Sequence, residues 1–202
     1  NVFMFTLLIL SATVITSLTA LYAMPELMQK GMLYPYQVVH EKKWYQLITH
    51  GFLHADLTHL AFNMITLYFF GPILEQVLGS ALYVLLYFLG LILASVTSVI
   101  KHKDNKQYAS LGASGAVEGV IFGFIILYPL EKIYLFFIPI GIPAVIFGFL
   151  YMAYSIYAGK AQKGRVNHDA HIAGAIWGVL FTLIAVPNSY TRFVNQIMDL
   201  FS

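Results

Sequence analysis

The stretch YASLGASGAVEGVIFGF, residues 108–124, begins as a polar, glycine-punctuated loop and turns into an apolar run suited to lipid. Ser114 stands at the join, with Gly112 two residues before it and Gly115 directly after. Gly115, Gly119 and Gly123 then recur every four residues, which on a helix makes one stripe of small residues. Glu118 lies one turn beyond Ser114 on the same face. A hydroxyl and a carboxyl inside such a run cost free energy to insert, so both are candidates for function.

The rest of the chain agrees that this run belongs in a membrane. Of 202 residues, 59% are hydrophobic and 10% charged, and the mean hydropathy is +0.76. A soluble domain carries about a quarter charged residues, so this chain cannot cover itself with polar surface. The expectation is an all-α, polytopic membrane protein. With no cysteine, disulfides and thiolate metal sites are excluded. The net charge of +2 is too small to suggest nucleic acid as a partner. The first apolar stretch is too long for the core of a cleavable signal peptide, and no small-residue cleavage site follows it.

Six apolar spans can be read: residues 1–25, 60–78, 79–100, 111–130, 133–158 and 170–186. Backbone groups in lipid must be satisfied within the segment, so each span is expected to be a helix. The 26–56 segment between the first two carries Tyr34, Tyr36, Trp44 and Tyr45 among prolines and charges, a composition that favours the membrane interface. Residues 101–107 and 159–169 read as wet loops, and 188–202 as a weakly amphipathic tail at the interface. There is no internal repeat or linker, so residues 1–202 are expected to form a single domain.

Beyond Ser114 and Glu118, two further places carry polar groups where lipid does not favour them. The stretch HGFLHADLTHLAFN supplies His50, His54, His59 and Asn63. His59 and Asn63 are four apart and share a helix face. The stretch NHDAHIAGAIWG places Asp169 and His171 at the start of the sixth span, followed by its own stripe of Ala170, Gly174 and Gly178. Two small-residue stripes predict that the fourth and sixth helices touch. Both helices enter from one side, which puts Ser114 and His171 at similar depth. A serine beside a histidine is the minimum for nucleophilic acyl transfer, since the histidine can take the hydroxyl proton and return it to a leaving amine. The glycines around Ser114 permit a tight turn and leave backbone N–H groups free for an oxyanion, to which His59 and Asn63 could add donors.

These residues resemble the rhomboid intramembrane serine protease family, whose pattern is H-x4-H-x3-N on the second helix, G-x-S-G at the fourth and A-H-x2-G on the sixth. Here they read His54-ADLT-His59-LAF-Asn63, Gly112-Ala-Ser114-Gly115 and Ala170-His171-IA-Gly174. The resemblance implies a six-helix bundle with a membrane-lying loop between helices one and two. It implies Ser114 as nucleophile and His171 as general base. His59, Asn63 and the Ser114 N–H would form the oxyanion hole, with His54 mainly supporting the loop; Gly112, Gly115 and Glu118 are read as site support from their own positions beside Ser114. It implies substrates that are membrane proteins, cut in or near a transmembrane segment of helix-breaking character, and a place in the bacterial inner (plasma) membrane. No metal or cofactor is implied, and the oligomeric state is left open. Two positions depart from the pattern. Many members carry Trp-Arg where this chain has Trp44-Tyr45-Gln46, and the position four after the serine, often aromatic, is Glu118.

Glu118 has two readings. It could accept a hydrogen bond from the second ring nitrogen of His171, turning a dyad into something like a triad, or it could bond elsewhere in the cavity or stay protonated through burial. Membrane orientation also has two. Nine of the eleven Lys and Arg residues lie in odd-numbered loops, which by the positive-inside rule are cytoplasmic; the resemblance implies a site opening away from the cytoplasm. Three rival functions stand beside proteolysis. One is a catalytically inactive rhomboid-like protein that binds membrane helices, although such proteins typically lose the serine or histidine. Another is a transporter with intramembrane histidines. The third is a metalloprotein, but HEKKW at residues 40–44 lacks the second histidine of H-E-x-x-H.

Overall fold

The computed structural model describes residues 3–134, 140–160 and 167–199. The first span is helix α1 (Met4–Leu18), extended by a π-helical turn, Thr19–Ala23. Three short helices follow: α2 (Pro25–Gly31), α3 (Pro35–His40) and α4 (Gln46–Thr49). Prolines open α2 and α3, where the missing N–H costs nothing and the fixed φ suits a helix start. The long helices α5 (Leu57–Leu78) and α6 (Ser80–His102) come next. Asp56 caps α5 by accepting from the His59 N–H at 2.8 Å. Then come α7 (Ser114–Leu127), α8 (Ala144–Lys160), α9 (His168–Ala185) and the short α10 (Ser189–Met198).

The protein is an all-α, polytopic membrane protein. Among the described residues, four segments are long and apolar enough to cross a bilayer: Met4–Ala23, Leu57–Leu78, Ser80–His102 and His168–Ala185. Helices α7 and α8 are shorter. At 14 residues, α7 is about 21 Å long, against about 30 Å of hydrocarbon. Every residue from Gly115 to Ile126 is buried, so α7 is the central helix, packed against α5, α6 and α9. A helix that is apolar all round belongs in such a place. Around it, Leu7, Ile15, Phe62, Phe69, Leu85, Phe149 and Ile184 point outward, an apolar girdle that only lipid covers.

The small-residue stripes meet as expected. A methyl group on Gly174 would collide with the Gly115 carbonyl oxygen, and one on Gly178 with the Gly119 carbonyl oxygen. Helices α7 and α9 therefore cross backbone to backbone, a separation that only glycine allows.

The fifth span differs from the sequence expectation. Residues 132–134 and 141–143 are not helical. Lys132–Tyr134 (β1) and Gly141–Pro143 (β2) pair as an antiparallel hairpin, and α8 begins only at Ala144. The apolar run disguised the hairpin; Gly141 and Pro143 are the residues that delay the helix. Pro139 and most of the 159–169 loop lie outside the described residues.

The segment between α1 and α5 exposes Trp44 and Tyr45, as an interfacial loop requires. It is pinned by fully buried Gln46. The Gln46 Oε1 accepts from the Tyr34 N–H at 3.0 Å, while its Nε2 donates to Gln37 Oε1 at 2.9 Å. At the opposite corner of the bundle the Glu75 carboxylate accepts from the Phe5 and Thr6 N–H groups and from the Thr6 and Ser80 hydroxyls, at 2.7–3.1 Å. It holds the start of α1 and the start of α6 to the end of α5, with its negative charge at two helix N-termini.

Candidate active site

The turn that delivers Ser114 is fixed from both sides. Gly112 has φ +118°, a conformation open to glycine and strained for other residues. A side chain there would also strike the His59 ring, whose Cε1 would lie 2.7 Å from the added carbon. The Gly112 N–H donates to the His50 carbonyl at 2.9 Å, and the Ala113 N–H to His54 Nε2 at 3.4 Å. Two residues earlier, Ser110 and Leu33 exchange backbone hydrogen bonds of 2.9 and 3.0 Å, tying this strand-like approach to the interfacial loop. Ser114 then opens α7, so its N–H and that of Gly115 are among the terminal donors that have no partner within the helix.

His54 is fully buried. Because its Nε2 accepts from Ala113, its Nδ1 carries the proton and donates to Ser17 Oγ at 3.0 Å; Ser17 in turn donates to the Phe52 carbonyl at 2.8 Å. Burial holds the His54 imidazole neutral, pushed down to about 3. The His59 ring stands edge-on to His54, with centroids 4.8 Å apart. One amide hydrogen of Asn63 donates to the His59 carbonyl at 3.0 Å; the amide group carries two.

His171 arrives on the first turn of α9. Asn167 caps that helix by accepting from the Ala170 N–H at 3.2 Å, and its amide nitrogen donates to Ser98 Oγ at 2.6 Å and to the Tyr108 hydroxyl at 3.3 Å. Asp169 pairs with Lys101 at the end of α6, 2.8 Å away. These contacts set the depth and rotation of α9, and the glycine crossing sets its distance from α7. His171 Nε2 lies 2.7 Å from Ser114 Oγ. Ser114, His171, His59, His54, Gly112 and Gly115 thus meet at the start of α7, Glu118 lies one turn along it, and Asn63 lies one turn beyond His59 on α5. Behind Ser114 is a small cavity of about 30 Å³ lined in part by His50, Ser95, Ser98, Ser110 and Asn167, the order of size and polarity that one water molecule needs.

Glu118 is buried on the Ser114 face, but it does not meet His171 directly. The Tyr151 hydroxyl, from α8, stands between them: it donates to Glu118 Oε1 at 2.6 Å and lies 2.8 Å from His171 Nδ1. The Tyr151 ring also runs nearly parallel to the imidazole, at 21° and 6.5 Å between centroids. An aromatic ring therefore flanks the histidine even though the position four after the serine is a carboxylate. Sequence reasoning missed Tyr151. It is one of several tyrosines in an aromatic helix, and spacing alone gives no sign of which one turns inward.

Comparison with known proteins places this geometry in context. The Rhomboid domain family matches residues 41–188. The chain is 33% identical over 145 residues to RHOMBOID-like protein 12, mitochondrial, of Arabidopsis thaliana, covering 64% of this chain and 43% of that protein. It is 29% identical over 153 residues to the putative rhomboid protease YdcA of Bacillus subtilis, covering 75% and 72%. It is 32% identical over 157 residues to Rhomboid protein 1, mitochondrial, of Saccharomyces cerevisiae, covering 76% and 45%. The match thus spans less than half the length of the two mitochondrial proteins and most of the Bacillus one.

Proposed function

The chain belongs to the rhomboid family, and from that premise we propose that it is an intramembrane serine protease acting through Ser114 and His171. The observation that carries this reading is the 2.7 Å contact between Ser114 Oγ and His171 Nε2 at the half-buried start of α7. Ser114 donates its proton to Nε2 as its oxygen attacks the carbonyl carbon of the scissile peptide. The negative charge that forms on the carbonyl oxygen is met by the Ser114 N–H, the second Asn63 amide hydrogen and the His59 ring. His171 then gives the proton to the leaving amine nitrogen, the C–N bond breaks and an acyl ester remains on Ser114. Water, deprotonated by the same imidazole, attacks that ester; its cleavage returns the proton to the serine oxygen.

The substrates are membrane proteins. A serine that lies below the membrane surface reaches a peptide bond only where the substrate helix unwinds, so segments of helix-breaking character are favoured. The whole chain acts as one unit in this reading, with α5, α7 and α9 supplying the chemistry and the interfacial segment bracing the Ser114 turn. Its proposed location is the inner membrane of a bacterium, consistent with the extent of the match to the Bacillus protein. The test is cleavage of a quenched fluorescent transmembrane peptide with a Gly/Pro-interrupted helix by purified protein in bilayers. Native protein should cut it, and Ser114→Ala and His171→Ala should not while keeping native helicity. Cleavage by Ser114→Ala at a native rate would end the assignment.

A further inference from the structure

We propose that Tyr151 and Glu118 form a two-residue relay behind His171 that sets its tautomer and supports its charge during attack; this rests on the protease reading above. The hydrogen-bond polarity carries the argument. For Ser114 to give its proton to Nε2, that nitrogen must be unprotonated, so the ring proton must sit on Nδ1. Nδ1 faces the Tyr151 hydroxyl at 2.8 Å, and that hydroxyl faces Glu118 Oε1 at 2.6 Å. A hydroxyl has one proton to give. Tyr151 gives it to Glu118 Oε1. The tyrosine oxygen is then left to accept from His171, which fixes the proton on Nδ1. In the opposite tautomer Tyr151 would donate to Nδ1 and leave the buried Glu118 Oε1 without that donor, at the cost of an unmade hydrogen bond.

The geometry is held from three helices. Ser114 and Glu118 come from α7, His171 from α9 and Tyr151 from α8. The Tyr151 ring is braced by Phe122 of α7 and Phe147 of its own helix, with centroids at 6.3 and 6.0 Å, so the hydroxyl has little freedom to turn away. When His171 takes the serine proton it becomes a cation. The Nδ1–H bond to Tyr151 then strengthens, and the carboxylate one hydroxyl away stabilises the new charge in surroundings of low dielectric. Tyr151 and Glu118 are positioning residues: neither touches the scissile peptide.

The test combines kinetics with a direct reading of the tautomer. In bilayers, with the same quenched transmembrane peptide, Tyr151→Phe and Glu118→Gln should each lower kcat by about tenfold or more, equivalent to about 1.4 kcal/mol in the barrier, with KM within about twofold of native. Because the two act in series, the double variant should be no worse than the poorer single one. Nitrogen-15 spectra of histidine-labelled protein should show His171 protonated on Nδ1 in the native chain and a mixture of tautomers in both variants. Native kcat in both variants, or additive losses with the Nδ1–H tautomer unchanged, would overturn the relay. Glu118→Gln keeps the size and shape of the side chain, so it carries the test if Tyr151→Phe fails to fold. If the native chain cuts nothing, the protease reading has failed instead, and the spectra still decide whether Tyr151 and Glu118 set the tautomer.

Discussion

Replacing Gly174 with alanine tests whether the crossing of α7 and α9 sets the distance between Ser114 and His171. Gly174 lies three residues beyond His171, and its backbone rests on Gly115, the neighbour of Ser114. An added methyl carbon would stand 2.9 Å from the Gly115 carbonyl carbon and 3.1 Å from its Cα, and would overlap the carbonyl oxygen outright. Carbon atoms sit comfortably at about 3.5–4.0 Å, so the helices must part by a distance on the order of 1 Å. Overpacking of this kind costs about 1–3 kcal/mol of stability. The Ser114–His171 contact, now 2.7 Å, would stretch to the edge of a hydrogen bond or past it. Misplacement of about 1 Å typically costs about 10²-fold in rate. Gly119→Ala is the matched control: its methyl would meet nothing beyond the helix's own backbone closer than the Gly174 carbonyl at 3.4 Å, and it should be nearly native. The assays are kcat/KM on the quenched transmembrane peptide and the thermal midpoint by circular dichroism. A Gly174→Ala protein with native kcat/KM and native midpoint would show that this crossing does not set the Ser114–His171 distance.

Asn63→Ala should lower kcat more than it raises KM, because an oxyanion donor acts chiefly in the transition state. The loss should fall short of the roughly 10²–10³ typical of a single donor, since His59 and the Ser114 N–H share the task; an unchanged kcat would remove Asn63 from the site. Stability should fall on acidification between about pH 6.5 and 5. Burial holds His50 down to about 4 and His54 down to about 3, whereas an unfolded histidine titrates near 6.5. In that window the unfolded chain binds protons that the folded chain refuses, so the folded state gains with rising pH and loses with falling pH, by up to about 1.4 kcal/mol per pH unit for each histidine. A thermal midpoint flat from pH 6.5 to 5 would contradict this.

What could be read from the sequence was whatever local pattern imposes. The stripes Gly115-Gly119-Gly123 and Ala170-Gly174-Gly178 announced a close helix crossing, and the structure makes that crossing backbone to backbone. The polar and aromatic character of the segment after α1 announced an interfacial loop, and Trp44 and Tyr45 face outward. The hairpin of β1 and β2 was hidden because residues 133–158 form one apolar stretch, and strand and helix are both apolar in such a setting. Glu118 was assigned to the correct face, since spacing fixes a face. Its partner was not, because the partner is chosen by α8, far away in sequence, and nothing in the pattern around Tyr151 marks it as the inward tyrosine. The place of Ser114 at the mouth of its helix was legible from the polar, glycine-punctuated loop before it, and α7 starts at Ser114.

The central claim is that Ser114 is a nucleophile activated by His171, and the most direct measurement is the site of covalent capture by a fluorophosphonate. Purified protein in bilayers is treated with the probe, digested, and mapped by mass spectrometry. One adduct is expected, on Ser114, with labelling lost in Ser114→Ala and strongly slowed in His171→Ala. Undiminished labelling of Ser114→Ala, or an adduct confined to another residue, would contradict it.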